Sequence, residues 1–227
     1  MYRRHDLVWL TPRGWASALR GLDGAARELA LSWQARGLPA VVRRLEPDTP
    51  PGLLCLGIPA PPDPHSGRKI RLGFAVERSE VAATRGALAL DEAEAPAAWQ
   101  PGLRKLRIAL RAAGVDCRVF GSMAMQTLSG ERYLSASSDI DLLLRPLDDA
   151  QLEAGLALLA RHAQSLPLDG EIEFPFGHAV SWKEWLGTDA QEANELDRVL
   201  AKHLNSVALL RRDALLAQFG MDGGRHG

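Results

Sequence analysis

Between Leu103 and Leu144 the apolar residues change period repeatedly, and this constrains the fold more than any other feature of the chain. Leu103, Leu106 and Leu110 recur at helical spacing, Gly114 is a helix stop, and Val115 to Phe120 alternates as a strand does. Met123 to Leu128 reads as a short helix. Asp139-Ile140-Asp141-Leu142-Leu143-Leu144 then forms a strand ended by Arg145-Pro146. Helix and strand taking turns in this way predicts an α/β (α+β) domain, a mixed sheet flanked by helices. Asp148 or Asp149 can cap the next helix, which carries Leu152, Leu156 and Leu159 on one face to about Gln164. Glu171 to Phe174 is a short strand stopped by Pro175. A last helix is expected from the capping box Thr188-Asp189-Ala190-Gln191, with Leu196, Val199, Leu200, Leu204, Val207 and Leu210 as its buried stripe.

The chain before Leu103 has a different grammar. Ala40 to Leu45, Gly52 to Ile58 and Arg71 to Val76 are short apolar runs separated by proline-rich turns, with one or two helices expected between Gly14 and Trp33. Pro59-Ala60-Pro61-Pro62-Asp63-Pro64 excludes regular structure there, because proline fixes φ and lacks the N–H donor. A break is expected at Ala89 to Gln100, around the acidic, proline-stopped run Asp91 to Pro96. The expected organisation is a small β-rich domain over residues 1–90 and an α/β domain over 100–220, which the resemblance given below makes the substrate- or carrier-binding and the catalytic domain respectively.

With 46% hydrophobic and 24% charged residues, the chain has the composition of a globular protein. No apolar run approaches the roughly 20 residues needed to cross a bilayer, and no apolar h-region follows Arg3-Arg4, so a cytoplasmic protein is expected. Cys55 and Cys117 are too few for a disulfide framework and read as reduced core residues. Net charge is only −1 but uneven: residues 1–118 hold 18 Lys and Arg against 12 Asp and Glu, and residues 119–227 hold 9 against 16. One half suits an anionic partner and the other a cation.

The acidic half has a motif to match. Side chains two apart on a strand share a face, so Asp139 and Asp141 present two carboxylates within roughly 7 Å of each other. Like charges so close repel unless a cation joins them, and magnesium suits one or two carboxylates shared with substrate phosphates. Upstream, Gly121-Ser122 follows a strand and opens a helix, where glycine admits a ligand close to the backbone and helix amides and a hydroxyl can donate to phosphate. Glu171 and Glu173, on the next expected strand, are candidates for a third acid; Glu171 is favoured because it follows Asp169-Gly170. Positive charge for a polyphosphate is available from Lys202, Arg145 and the cluster Arg68, Lys69 and Arg71. Glycine-serine turn followed by Asp-x-Asp strand resembles the active-site grammar of the nucleotidyltransferase superfamily.

A narrower resemblance spans nearly the whole chain. Arg4-His5-Asp6-Leu7-Val8-Trp9-Leu10, Phe120-Gly121-Ser122-Met123-Ala124-Met125-Gln126-Thr127-Leu128-Ser129-Gly130, Tyr133-Leu134 and Ser138 to Leu143 are similar to the malonate decarboxylase holo-acyl-carrier-protein synthase family, also called phosphoribosyl-dephospho-CoA transferase. So are Leu168-Asp169-Gly170-Glu171-Ile172, Ala179 to Glu184 and Lys202. Met125-Gln126 stands where nucleotidyltransferases commonly carry an arginine-glycine pair, and the connection from Gly121 to Asp139 is long; both argue for the carrier-protein branch.

The resemblance implies transfer of a prosthetic group from 2′-(5″-triphosphoribosyl)-3′-dephospho-CoA to a serine of the apo acyl carrier protein subunit of malonate decarboxylase, releasing pyrophosphate. It gives Asp139 and Asp141 the catalytic, magnesium-binding role, Gly121 and Ser122 the phosphate turn, and implies no nucleic-acid or membrane partner. Competing readings are the citrate lyase carrier-protein transferase, an ATP-using protein nucleotidyltransferase, and a non-catalytic carrier-protein adaptor. Retention of both aspartates argues against the adaptor.

Overall fold

The structure is a computed structural model and describes residues 2–63, 66–187 and 197–222. It divides into two compact units: Met1–Ala87 with Leu128–Tyr133 and Leu204–Ser206, and Leu88–Thr127 with Leu134–His203 and Val207–Gly227.

In the first unit β1 (Leu7–Leu10), α1 (Pro12–Leu19) and α2 (Gly24–Ala35) precede the strands β2 (Ala40–Val42), β3 (Leu53–Pro59), β4 (Arg71–Glu77) and β5 (Val81–Arg85). They form an antiparallel sheet of five strands in the order β4-β3-β2-β1-β5. Thr11 starts α1 by accepting the Gly14 N–H on its hydroxyl, 3.0 Å away, and Pro12 follows where its missing N–H costs nothing. Val8, Ala40, Val42, Leu54, Leu56 and Ile58 fill the core with Trp15 and Trp33. The Trp33 indole N–H finds the Pro39 carbonyl at 2.9 Å, so its polar atom is satisfied inside.

The second unit runs β6 (Leu88–Ala89), α3 (Gln100–Ala112), β7 (Asp116–Val119), α4 (Gly121–Ser129), β8 (Ile140–Arg145), α5 (Asp149–His162), β9 (Leu168–Glu173), β10 (Ala179–Ser181), α6 (Trp182–Gly187), β11 (Arg198–Lys202), β12 (Val207–Arg211) and α7 (Arg212–Asp222). Its seven strands lie in the order β12-β11-β10-β9-β8-β7-β6. Every pairing is antiparallel except β8 with β9, which α5 connects. Asp148 caps α5, accepting the Gln151 N–H at 2.7 Å. The apolar sides of α3 (Leu103, Leu106, Leu110) and α5 (Leu152, Leu156, Leu159) are buried, as are Ile140, Leu142, Leu144, Ile172 and Val180 of the sheet. Helices packed on sheets make this the α/β (α+β) architecture that the sequence leads one to expect.

One expectation is corrected. The helix expected over Leu196 to Leu210 is absent: Arg198–Lys202 and Val207–Arg211 are the antiparallel strands β11 and β12, registered from Arg198↔Arg211 to Lys202↔Val207. Leucines three and four apart mimic a helix, but the burial alternates, with Val199 and Ala201 inside and Leu200 outside. The capping box Thr188–Gln191 and Leu196 lie outside the described residues. Both cysteines are free and buried, and burial pushes the Cys117 thiol up to about 12.

Candidate active site

The site is built where β7 hands over to α4. The Phe120 N–H donates to the Asp141 carbonyl at 3.1 Å, which fastens the end of β7 to the start of β8. Gly121 follows with φ +66°, and a Cβ there would lie 2.0 Å from Asp141 Oδ2. The backbone of the turn is therefore seated directly against a carboxylate, a position that a side-chain-bearing residue could take only by displacing one or the other. Ser122 lies in the first turn of α4, half-buried. Asp139 is exposed and immediately precedes β8.

The approach to Asp139 is held by its own loop. Gln126 Oε1 accepts the Leu134 N–H at 3.1 Å, Ser138 Oγ accepts the Ser135 N–H at 2.9 Å, and the Ser138 N–H reaches the Ser135 carbonyl at 3.1 Å. Gln126, which departs from the arginine-glycine pattern, thus ties the long connection back onto α4.

Beyond Asp141 the parallel register sets Asp141 beside Asp169 and Leu143 beside Glu171. Neighbouring strands lie ~4.8 Å apart, so Asp169, not Glu171, is the β9 acid at the level of Asp141. Alternation puts Asp169, Glu171 and Glu173 on one face, and each has a cation. Lys183 Nζ lies 3.5 Å from Asp169 Oδ1, Lys202 Nζ 2.9 Å from Glu171 Oε1, and Arg145 Nη2 3.1 Å from Glu173 Oε2. The pairs differ in exposure. Glu171 and Glu173 are 7% and 4% exposed, whereas Asp169 is 43% and Lys183 52%.

The structure therefore brings Gly121 against Asp141, with Ser122 next in α4 and Asp139 exposed just ahead of β8, and gives Lys202 and Arg145, two of the cations singled out in the sequence, to buried glutamates. Arg68, Lys69 and Arg71 are exposed residues of the first unit, at and before the start of β4. Sequence reasoning gave no role to Asp169 or Lys183. Their signal is a strand register, which only the fold supplies.

Among the described residues no three His, Cys, Asp or Glu side chains are grouped to hold a metal. The carboxylates of Asp139 and Asp141 are nevertheless the donor type that a hard divalent cation takes when phosphate oxygens and water complete its shell. The donors are all oxygens, which excludes a site built for a soft metal.

The family model described as "Phosphoribosyl-dephospho-CoA transferase MdcG N-terminal domain" matches residues 3–86, and that of the corresponding C-terminal domain matches residues 87–213. A Xanthomonas campestris pv. campestris (strain 8004) protein named phosphoribosyl-dephospho-CoA transferase is 38% identical over 222 residues, covering 96% of this chain and 98% of its own. Proteins of the same name from Bradyrhizobium diazoefficiens and Pseudomonas putida are 36% and 31% identical, covering 94% and 81% of this chain and 92% and 84% of their own. No solved structure matches significantly. The chain is thus a transferase enzyme, with an acidic strand facing a glycine-serine turn. More narrowly, it belongs to the phosphoribosyl-dephospho-CoA transferase family.

Proposed function

We propose that the enzyme transfers the phosphoribosyl-dephospho-CoA group from 2′-(5″-triphosphoribosyl)-3′-dephospho-CoA to a serine of the apo acyl carrier protein subunit of malonate decarboxylase, releasing pyrophosphate. The observation that carries the reading is Gly121 seated against Asp141 at the start of α4. It supports reading the turn as the phosphate site and Asp141 as a metal ligand, because the two lie against each other.

In this reading Asp139 and Asp141 hold magnesium, which supplies charge neutralisation for the phosphates. The first amides of α4 and the Ser122 hydroxyl donate to the phosphate oxygens and fix the chain of phosphates in line. The carrier serine oxygen bonds to the α phosphorus, the bond from that phosphorus to the pyrophosphate breaks, and the serine proton is lost to solvent; the product is a phosphodiester. Glu171 supports the acidic face from within by holding Lys202, and Asp169 is the acid level with Asp141 on the next strand. Arg68, Lys69 and Arg71 supply exposed positive charge that suits an anionic substrate or an acidic carrier. The reading places the reaction in the cytoplasm; no helix among the described residues is long and apolar enough to cross a membrane.

The test is mass spectrometry of apo carrier protein incubated with the enzyme, Mg²⁺ and the precursor. One phosphoribosyl-dephospho-CoA should appear on a serine for each pyrophosphate released. Asp139→Ala and Asp141→Ala should each lose transfer on the order of 10³-fold with an unchanged melting temperature. Modification that requires ATP in place of the precursor overturns the proposal, and preferential labelling of the citrate lyase carrier reassigns the partner.

A further inference from the structure

We infer that Lys183 is a substrate-binding residue that receives the polyphosphate of the precursor, parked on Asp169 until substrate arrives. The inference rests on the proposed role of Asp139 and Asp141 and adds a residue that sequence reasoning left without one.

Three cations face the acids of β9, and they are not equivalent. Arg145 and Lys202 neutralise glutamates that are almost wholly buried, at hydrogen-bonding distances of 3.1 and 2.9 Å. Taking either cation away removes a close ion pair from a buried carboxylate, which is costly, so neither cation readily follows a substrate. Lys183 is held differently. Its Nζ lies 3.5 Å from Asp169 Oδ1, and both side chains are open to solvent. Asp169 Oδ1 is already occupied by the Gly170 N–H at 2.8 Å. Such a pair is loose and screened, and it opens at small cost.

Position supports the same conclusion. β10 pairs with β9 up to Ser181 opposite Glu171, and α6 begins there, so the first turn of α6 brings Lys183 back to Asp169. Asp169 in turn is the register partner of Asp141. The ammonium therefore stands at the level of the proposed metal-binding carboxylate. Its other neighbour is the Trp182 ring, 5.7 Å from Nζ to the centroid. A ring face attracts the cation without using a hydrogen-bond donor, which leaves donors of the ammonium available to phosphate oxygens.

Steady-state kinetics of Lys183→Ala test the inference, with pyrophosphate as product inhibitor and dephospho-CoA, which lacks the polyphosphate, as competitor. The expected result is a KM for the precursor and an inhibition constant for pyrophosphate both raised about tenfold, with kcat changed less than about threefold and dephospho-CoA inhibition unchanged. Lys183→Arg should recover most of the pyrophosphate affinity. A Lys183→Ala enzyme with unaltered KM and pyrophosphate inhibition overturns the inference, as does an equal loss of dephospho-CoA binding, which signals general damage. Asp139→Ala run alongside separates the two claims: full transfer by that variant overturns the site reading itself, whereas its loss beside an unaffected Lys183→Ala condemns Lys183 alone.

Discussion

Gly121 and Asp141 occupy one space: a Cβ on the glycine would fall 2.0 Å from the aspartate Oδ2. Gly121→Ala should therefore lose transfer activity by two orders of magnitude or more, because the added methyl displaces either the turn or the carboxylate. The φ of +66° adds a backbone cost of roughly 1–2 kcal/mol. Thermal melting should fall by only a few degrees. Activity lost with little stability lost is the signature to look for; an active Gly121→Ala enzyme contradicts the geometry.

Gly170 makes the opposite prediction. It sits in the parallel pairing at φ +131°, and a Cβ would lie 1.9 Å from the Leu142 carbonyl oxygen. Gly170→Ala should cost more than about 4 kcal/mol, so the variant should accumulate as insoluble protein, read from soluble yield on expression. A soluble variant melting like the parent would show that the strands can separate there without penalty.

Lys202 is expected to matter for stability before it matters for kinetics. Lys202→Met removes the ion pair to the buried Glu171 carboxylate, while the lysine itself is 38% exposed. The cost should be about 2 kcal/mol, or roughly 4–8 °C in melting temperature. Adding Glu171→Gln should recover at least half of the loss, since the offending charge goes with it. Equal melting of the single and double variants would rule out the ion pair as the cause.

His178 gives the fold a pH dependence. Burial holds its imidazole below the ordinary range, and the neighbouring His203 ring, centroid to centroid 4.9 Å away, adds to the shift. Gln218 bridges the Phe176 N–H, 3.2 Å from its Oε1, and His178 Nδ1, 3.1 Å from its Nε2, which clasps α7 to the turn after β9. The unfolded chain takes up the proton first as pH falls. The stability due to neutral His178 is thus complete above about pH 6.5 and is lost as pH drops from there through the lower folded value. His178→Asn, measured by thermal melting from pH 7.5 to 5.5, should show a flatter profile than the parent; parallel profiles refute the clasp.

Local chemistry was legible in the sequence; long-range placement was not. Asp148 as a cap, and Leu103, Leu106 and Leu110 as a buried stripe, follow from spacing alone. Gly121 before Ser122, with Asp141 on the following strand, marks the turn and the acids it faces. The hairpin of β11 and β12 was hidden because Val199, Leu200, Leu204 and Leu210 satisfy helical spacing, and only burial on alternate residues reveals the strand. Asp169 was hidden for another reason. Nothing in a chain states which residues of two parallel strands come level, and a shift of two positions would have placed Glu171 beside Asp141 instead.

The first unit is discontinuous, and this bears on any attempt to dissect the enzyme. Its N-terminal segment takes in Leu128–Tyr133 and Leu204–Ser206: the Tyr133 hydroxyl donates to the Pro59 carbonyl at 2.7 Å, Arg36 Nη2 to the Ser129 carbonyl at 2.6 Å, and the Leu45 N–H to the Leu204 carbonyl at 2.8 Å. Scission after Ala87 is therefore no clean severance. The shorter fragment would lack three of its own fastenings, and the two pieces would have to be reunited by complementation for either to regain its native seams.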